Sequence, residues 1–367
     1  MIRFESDYLE GAHPRILARM METNLDQTPG YGTDEICAHA RELIRQRIAR
    51  PDADIHFLVG GTQTNFTFLS AALRPHQGAL SADTGHIAVH ETGAIEAGGH
   101  KVITLPAADG KIAAGQVSEY CRNHFSDASR EHTVMPKVVY ISYPTELGTL
   151  YTRSELNALR GVCDEWNLYL YIDGARMGYG LASDECDIDL PFIASVSDAF
   201  YIGGTKQGAL FGEALVLLNP ALKEDFRYIL KQNGGMLAKG RLLGIQFDEL
   251  FRDDLYMELS RHADALAAEL RALFRAKNIP VLVESPTNQL FPILPNDFLK
   301  SLSQTFTFSV QFPIDPTHTC VRFCTSWSTP RLSLDALAAA LGGLCPQTLA
   351  AALDHTDFES GNDSKST

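Results

Sequence analysis

Two stretches decide the fold, LYLYIDGARMG at residues 168–178 and AFYIGGTKQG at residues 199–208. Each begins with a short apolar run typical of a buried strand and continues into glycine and a charged residue. Asp173 ends the first run, and Lys206 follows the second run after two glycines and Thr205. Because ligands of open α/β sheets bind beyond the carboxyl ends of the strands, the pattern predicts that both side chains face one ligand site.

The same order of strand and helix recurs on both sides of these stretches. Apolar runs precede helical patterns at DIHFLVGG (54–61), GALSAD (78–83) and KVVYISYP (137–144), and a further run is EALVLL (213–218). Such alternation is typical of a parallel sheet covered by helices on both faces. We therefore expect an α/β protein whose large domain holds a mainly parallel seven-stranded sheet between helices.

After Gly240 the pattern changes to a long helical stretch, residues 241–278, followed by shorter strand-like runs and a last helix. This pattern of a long helix, short strands and a last helix predicts a smaller α+β domain. We expect an N-terminal segment at 1–25, a large domain at 26–240, a small C-terminal domain at 241–355 and a polar, disordered tail at 356–367. The segment HIAVHETGAIEAG (86–98) is expected to be helical.

Composition narrows the class of partner. The chain has 31 Lys and Arg against 45 Asp and Glu, a net charge of −14, which argues against nucleic-acid binding. No apolar run reaches the roughly 18 residues of a membrane span, and the start MIRFESDYLE has no signal-peptide character. Seven scattered cysteines are typical of reduced thiols, and we predict no metal site. We expect a cytoplasmic protein with a small-molecule partner.

Lys206 and Asp173 together indicate a carbonyl cofactor. A partly desolvated amine loses its charge readily and becomes a nucleophile, whereas the alternative for Lys206 is an exposed loop lysine. A carboxylate at a strand end can keep a pyridine nitrogen protonated, whereas the alternatives for Asp173 are a helix cap or a magnesium ligand. Their combination with Arg176 and an upstream anion site favours the cofactor.

That anion site is Gly60-Gly61-Thr62-Gln63, where a predicted strand turns into a helix. Glycines allow close backbone approach, and the free amides of a helix start bind phosphate. The stretch lacks the Walker lysine and the spaced glycines of a dinucleotide site, so by itself it is weak evidence.

The set resembles the threonine aldolase and β-eliminating lyase family of fold type I, aspartate aminotransferase-like enzymes that use pyridoxal 5'-phosphate (PLP). The motifs FESD, YGTDE, GGTQTN, GHIAVHETGAIEAGGH, YIDGARMG, GGTK and VRFCTSW occur in the family's order over roughly residues 3 to 345. The resemblance implies that Lys206 binds PLP as a Schiff base, and that Asp173 pairs with the pyridine nitrogen. It also implies cofactor contacts from the phosphate-binding residues Gly61, Thr62 and Gln63, from Arg176, and from His86 stacked on the ring.

For the substrate, the resemblance implies that Arg322 in CVRFCTSW grips the carboxylate, with Ser6 and Arg176 completing the cluster. A planar guanidinium suits bidentate carboxylate binding, although a strand arginine can also lie on a polar surface. Relatives form dimers or tetramers with active sites at the dimer interface. We therefore expect a homodimer or homotetramer.

Two departures from the family pattern bear on the reaction. The family's Asn-Thr-His stretch reads Tyr143 to Gly148 here, so Glu146 stands where a histidine assists at the substrate hydroxyl. The family's glycine run with Met-Arg reads Gly234 to Lys239, which moves the basic group that reaches a neighbouring subunit's phosphate to Lys239 or Arg241. The identity of the base stays open.

The leading hypothesis is a PLP-dependent carbon-carbon lyase that cleaves an L-β-hydroxy-α-amino acid, of the threonine, allo-threonine or phenylserine type, to glycine and an aldehyde. A base must remove the β-hydroxyl proton, and the candidates are Glu146, His86, His90 or a held water. β-Elimination and transamination by the same cofactor are alternatives. A nicotinamide-dependent enzyme or a non-catalytic small-molecule binder is the alternative of a different class.

Overall fold

The computed structural model of the protein describes residues 1–344. The predicted tail at 356–367 and the last residues of the predicted small domain lie outside the described residues. Across 1–344, no helix combines the length and the apolar character needed to cross a membrane.

Thirteen strands occur within residues 1–344. In chain order they are β1 (Ile2–Arg3), β2 (Asp54–Leu58), β3 (Gln77–Ala82), β4 (Lys101–Leu105), β5 (Met135–Ser142), β6 (Tyr169–Asp173), β7 (Ala199–Gly203), β8 (Glu213–Leu217), β9 (Gln289–Leu290), β10 (Ile293–Pro295), β11 (Phe306–Thr307), β12 (Ser309–Pro313) and β13 (His318–Cys324).

The same residues form fourteen α-helices and two short 3₁₀ helices, the latter at Arg130–His132 and Pro220–Leu222. The α-helices are α1 (Pro14–Glu22), α2 (Glu35–Arg47), α3 (Gly61–Ala72), α4 (His86–Val89), α5 (Ala94–Ala97), α6 (Ala114–Ser126), α7 (Arg153–Trp166), α8 (Met177–Ala182), α9 (Leu190–Val196), α10 (Phe226–Gln232), α11 (Arg241–Arg252), α12 (Leu255–Ala276), α13 (Asn296–Leu302) and α14 (Arg331–Gly342).

The main sheet has seven strands in the order β2-β8-β7-β6-β5-β3-β4, and β8 alone runs antiparallel to its neighbours. This confirms the predicted mainly parallel sheet. Strands β3, β7 and β8 are buried along their whole length, as expected for a sheet with helices on both faces.

Strand register aligns the residues that follow the strands. Ser142 at the end of β5 pairs with Asp173 at the end of β6. Glu213, the first residue of β8, pairs with Gly203 at the end of β7 and with Leu58 at the end of β2. The carboxyl ends of the parallel strands β2, β5, β6 and β7 therefore meet at one edge of the sheet, with the start of antiparallel β8 between β2 and β7.

Two predicted helical stretches are interrupted in the structure. Residues 241–278 form α11 and α12 rather than one helix, because Asp254 between them adopts a left-handed conformation with φ 63°. Residues 86–98 form only the single turns α4 and α5, separated by Gly93 at φ 69°. Both predictions of continuous helix were wrong at these residues, since a left-handed residue ends the hydrogen-bond ladder.

The smaller antiparallel sheet has the order β10-β13-β12, with β9 also pairing with β13, and β1 pairs separately with β11. Leu243, Phe247 and Leu250 of α11 belong to the hydrophobic core around the main sheet. Leu266 and Phe274 of α12 belong to the core beneath the smaller sheet. The domain boundaries placed at residues 25 and 240 stay predictions.

Candidate active site

A cavity of about 380 Å³ opens at the aligned strand ends of the main sheet. It is bounded by the turns after β2, β5, β6 and β7 and by the start of α4. Its lining includes Tyr8, Gly60, Gly61, Thr62, His86, His90, Ser142, Glu146, Asp173, Arg176, Tyr201, Thr205, Lys206 and Glu213. Lys206 and Asp173 therefore face one cavity, at the sheet edge that the sequence pattern indicates.

Asp173 is held as a carboxylate by four donors. Its Oδ2 accepts from the Tyr140 hydroxyl at 2.6 Å and from Asn65 Nδ2 at 2.9 Å. Its Oδ1 accepts from the Tyr201 hydroxyl at 2.5 Å and from the Ala175 amide at 3.0 Å. Although burial opposes ionisation, the charge of His86 and these hydrogen bonds lower the pKa of Asp173. The cavity therefore contains a fixed negative charge.

Lys206 reaches the cavity from the loop after β7. Burial and the neighbouring positive charge of Arg176 lower the pKa of its amine. Its Nζ lies 5.8 Å from the centroid of the Tyr8 ring, and its backbone carbonyl accepts from the Tyr179 hydroxyl at 2.5 Å. An amine that gives up its proton more readily than ordinary lysine is suited to attack a carbonyl group.

The glycine turn forms the N-terminus of α3. The amides of Gly61, Thr62 and Gln63 are the first three of this helix and so have no acceptor in its hydrogen-bond ladder. A Cβ on Gly61 would lie 3.1 Å from the Tyr201 hydroxyl, so the backbone approaches the cavity closely there. The Gln63 side chain instead braces the turn, accepting from the Val59 amide at 3.3 Å and donating to the Asn233 carbonyl at 3.2 Å.

His86 and Glu146 are joined through the backbone. The His86 amide and the Ser142 hydroxyl both donate to Glu146 Oε1, at 2.8 and 2.6 Å. Burial raises the pKa of Glu146, against the hydrogen bond from Ser142. Glu146, which stands where the family has a histidine, therefore lies inside the cavity beside His86, the residue predicted to stack on the cofactor ring.

The imidazole of His86 has its own acid partner. Its Nδ1 lies 2.8 Å from Glu91 Oε1, which also accepts from Asn65 Nδ2 at 2.8 Å. Burial alone would lower the pKa of His86, but the hydrogen bond with Glu91 and the charge of Asp173 raise it above its ordinary value. Asn65 thus bridges the acid partner of His86 and Asp173.

Arg176 is already paired. Its Nε donates to Asp7 Oδ2 at 2.7 Å and its terminal nitrogen to Asp7 Oδ1 at 3.0 Å, while Asn288 donates to Asp7 at 2.9 Å. Although burial opposes ionisation, the charges of Arg176 and Lys206 hold the pKa of Asp7 well below its usual range. The guanidinium therefore lines the cavity with its charge largely balanced.

Arg322 lines an adjoining cavity of about 490 Å³, together with Tyr8, His86, His90, Glu146, Arg176 and Lys206. Its guanidinium donates to neutral acceptors, Gln289 Oε1 at 3.1 Å and the Glu5 carbonyl at 3.2 Å, and its buried Nε has no partner within residues 1–344. The Ser6 hydroxyl is likewise buried without a partner in that range. Arg322, in contrast to Arg176, keeps an unbalanced charge.

Comparison with known proteins agrees with this geometry. A family model described as β-eliminating lyase matches residues 3–293. The chain belongs to the β-eliminating lyase family. It is 30% identical to a low specificity L-threonine aldolase of Pseudomonas aeruginosa, over 82% of this chain and 84% of that protein.

Solved structures support the same family. A threonine aldolase of Leishmania major is 45% identical with a TM-score of 0.91, covering 93% of this lyase and 99% of that chain. An aspartate aminotransferase variant of Thermus thermophilus, at 13% identity and a TM-score of 0.66 over 93% and 91% of the two chains, shares the fold. The expected aspartate aminotransferase-like fold of this lyase is confirmed.

Two predicted cofactor contacts lie apart from the others. Lys239 is exposed and does not line the cavity of its own subunit. Arg241 donates to the carbonyls of Thr23, at 2.5 Å, and Asn24, at 3.1 Å. Within one subunit of the lyase, neither basic group is brought to the glycine turn.

Several residues of the lyase site were missed from the sequence. They are the donors and acids behind the predicted residues: Asp7, Asn65, Glu91, Tyr140, Tyr201 and Glu213. One signal was available for Asn65, which follows Gly61 by one helical turn and therefore lies on the same helix face as the glycine turn. The tyrosines carry no such signal, because tyrosine is common in buried strands.

Proposed function

We propose that the protein is a PLP-dependent aldolase that cleaves L-β-hydroxy-α-amino acids, of the threonine, allo-threonine or phenylserine type, to glycine and an aldehyde. The observation that carries this proposal is the meeting of Lys206, Asp173 and the glycine turn in one cavity. The similarity to proteins named threonine aldolase, at 45% and 30% identity, supports the same reaction.

The cavity residues fit PLP by their chemistry. Lys206 would bind the carbonyl carbon, and Asp173 would hold the proton on the pyridine nitrogen. The amides of Gly61, Thr62 and Gln63 would bind the phosphate, since free helix N-terminal amides favour anions. His86 would lie on the ring. When bound, PLP supplies an electron sink for the bond that breaks at Cα.

Glu146 is proposed as the base that takes the β-hydroxyl proton. Its Oε1 already accepts from Ser142 and His86, which fixes the carboxyl and leaves Oε2 to face a substrate. A buried carboxylate with a raised pKa holds a proton more tightly than an ordinary one and is therefore a better base. His86 is the second candidate, with the ring oriented by Glu91.

Arg322 is proposed to bind the substrate carboxylate, with support from Ser6 and Arg176. Its charge is not balanced by an acid, and its Nε is unpaired within residues 1–344. A carboxylate at that position would satisfy the guanidinium by two parallel hydrogen bonds. Arg176 would contribute less, because Asp7 occupies two of its nitrogens.

We further propose a homodimer or homotetramer in the cytoplasm. Large apolar side chains are exposed near the N-terminus and on α10, including Leu25 at 90%, Met21 at 77% and Tyr228 at 76%. A contiguous partner surface would bury them. The free thiols of six described cysteines are compatible with a reducing compartment.

The test is replacement of Lys206 by Ala, with exposed Lys300→Ala as the control. We expect Lys206→Ala to lose both the visible absorbance of the lysine-bound cofactor and the cleavage of threonine and phenylserine. Lys300→Ala should keep both. Threonine cleavage by Lys206→Ala at the wild-type rate would refute the proposal.

β-Elimination is the second candidate, because the family description names it. The two reactions differ in products: aldehyde and glycine from the aldolase, ammonia and a keto acid from the eliminating lyase. Measuring all four with threonine and with serine separates them. Ammonia and keto acid in the absence of glycine would replace the aldolase proposal by the lyase.

A further inference from the structure

Glu213 is a buried acid in the cavity with no part in the proposed reaction. It is 4% exposed and begins β8 between the ends of β2 and β7. Its side chain lines the same cavity as Gly61, Thr62 and Lys206. The carboxyl group of Glu213 therefore lies between the glycine turn, which is proposed to bind the phosphate, and Lys206.

The carboxyl group contacts the loop that carries Lys206. Glu213 Oε2 accepts from the Gly204 amide at 3.2 Å, and Oε1 lies 2.8 Å from Thr205 Oγ1. Thr205 Oγ1 also accepts from the Gly212 amide at 3.0 Å. Thr205 itself lines the cavity. The protonation state of Glu213 therefore decides whether the Thr205 hydroxyl can donate a hydrogen bond to a ligand in the cavity.

A hydroxyl group has one proton to donate and two lone pairs to accept with. If Glu213 is ionised, the Thr205 proton is committed to its carboxylate. If Glu213 is protonated, its O–H and the Gly212 amide fill both lone pairs of Thr205. The threonine proton can then point into the cavity, since the Gly212 carbonyl, which also faces Oγ1, is 3.5 Å away and too far for a strong hydrogen bond. Thr205 then becomes a donor to a bound anion.

We propose that Glu213 is a positioning residue that, as a neutral acid, directs the Thr205 hydroxyl toward the phosphate of the cofactor and keeps negative charge away from it. This inference rests on the proposed use of PLP. It assigns Glu213 no contact with substrate and no proton transfer in the reaction.

The electrostatic surroundings agree with the neutral form. Burial raises the pKa of Glu213 to about 8, against the hydrogen bond from Thr205 and the charge of Lys206. The other titratable groups that face it are Asp173 on β6 and the tyrosines Tyr171, Tyr201 and Tyr256. Burial raises the pKa of each tyrosine well above 10, so they stay neutral while Glu213 titrates.

The experiment measures the PLP dissociation constant of the cofactor-free enzyme between about pH 7 and pH 9.5. Binding an anion next to Glu213 requires its proton, so wild-type affinity should be full below about pH 8 and fall by up to about tenfold per pH unit above it. Glu213→Gln keeps a donor to Thr205 at every pH. Its affinity should stay flat over the same range.

Two controls are needed. Pyridoxal, which lacks the phosphate, is the control ligand, and Asp264→Asn is the control variant. Asp264 is another buried acid with a pKa raised by burial, but it lies outside the cavity. Pyridoxal binding should show the same pH dependence in wild type and Glu213→Gln, and Asp264→Asn should follow wild type with PLP. Thr205→Val, a second variant should Glu213→Gln misfold, lacks the directed hydroxyl and should bind PLP about tenfold more weakly at pH 7. Its affinity should still fall at high pH, because Glu213 still titrates beside the phosphate.

Two results would overturn the inference: a fall in PLP affinity above pH 8 that persists in Glu213→Gln, or a difference between the two proteins that is as large for pyridoxal as for PLP. If wild type binds no PLP at any pH, the proposed function itself fails, which is a distinguishable result. Thermal unfolding of each variant confirms that a folded protein was measured.

Discussion

The two sides of the active-site cavity are built differently. The inner wall consists of Asp173 and Tyr201, which line the cavity, and of Asn65 and Tyr140, which donate to Asp173 from behind. These residues come from the main sheet and α3, are buried, and are joined by hydrogen bonds. The outer wall comprises Tyr8, Val89, His90, Gln311 and Arg322, which come from separate segments. Tyr8 is 54% exposed and Val89 51% exposed.

This difference separates a fixed half from an adaptable half. Four donors, on two strands, one helix and the turn after β6, leave Asp173 a single orientation, so the charge offered to the cofactor is set before binding. The outer wall has a guanidinium nitrogen that finds no partner among residues 1–344, and it has exposed aromatic and aliphatic side chains. We infer that the inner wall defines the cofactor and the outer wall defines the substrate.

The largest effect is expected from breaking the inner wall with Asp173→Asn. An amide group cannot accept four hydrogen bonds, and its NH₂ would oppose either the fixed Ala175 amide or Asn65. Loss of a buried charge pair between Asp173 and the protonated pyridine nitrogen would cost about 3–5 kcal/mol. Because that pair would act while the bond breaks, kcat/KM should fall by about a hundredfold to several thousandfold. Tyr201→Phe removes one donor and should lose about tenfold or less. Equal losses in the two variants would contradict a charge-based role.

The next effect concerns Glu146, which lies where the two walls meet. Glu146→Gln should lower kcat by about a hundred- to a thousandfold, as expected for loss of a general base. Because burial raises the pKa of Glu146, its carboxylate form is lost as pH falls through a value above 4.5. The wild-type kcat should therefore decrease on the acid side of its pH profile, and this acid limb should be absent in Glu146→Gln. Glu119→Gln, the same change at an exposed position on α6 outside both cavities, should stay within about twofold of wild type. An unchanged acid limb in Glu146→Gln would assign the base to His86.

The walls also differ in how far the sequence could predict them. Asp173 and Lys206 were predictable because both follow apolar strands, and the parallel order of those strands brings their ends together. The pairing of Arg176 with Asp7 was not, since 169 residues separate them and no local pattern records a long-range contact. The break at Asp254 was missed for a related reason: a left-handed aspartate is compatible with the helical periodicity on either side.

A smaller effect is expected from the outer wall with Arg322→Lys. Lysine keeps the positive charge but cannot form two parallel hydrogen bonds with a carboxylate. Loss of one charge-assisted hydrogen bond should raise KM for threonine by about ten- to a hundredfold, with kcat changed less. Arg331→Lys, at an exposed position on α14, is the control and should keep the wild-type KM. A fall in kcat with unchanged KM would mean that Arg322 acts on the transition state.

The smallest effect is expected from Lys239→Ala, which tests whether the phosphate site on the cofactor side of the cavity is complete in one subunit. Lys239 is exposed and does not line the cavity of its own subunit, so in a single subunit its removal should leave the PLP dissociation constant unchanged. If a second subunit presents it to the phosphate, PLP should bind up to about fivefold more weakly, in a salt-dependent manner typical of an exposed ion pair. That weakening should disappear at dilutions where sedimentation shows monomers. A tenfold loss that persists in the monomer would place Lys239 in its own subunit's cavity and show that the phosphate site needs no second subunit.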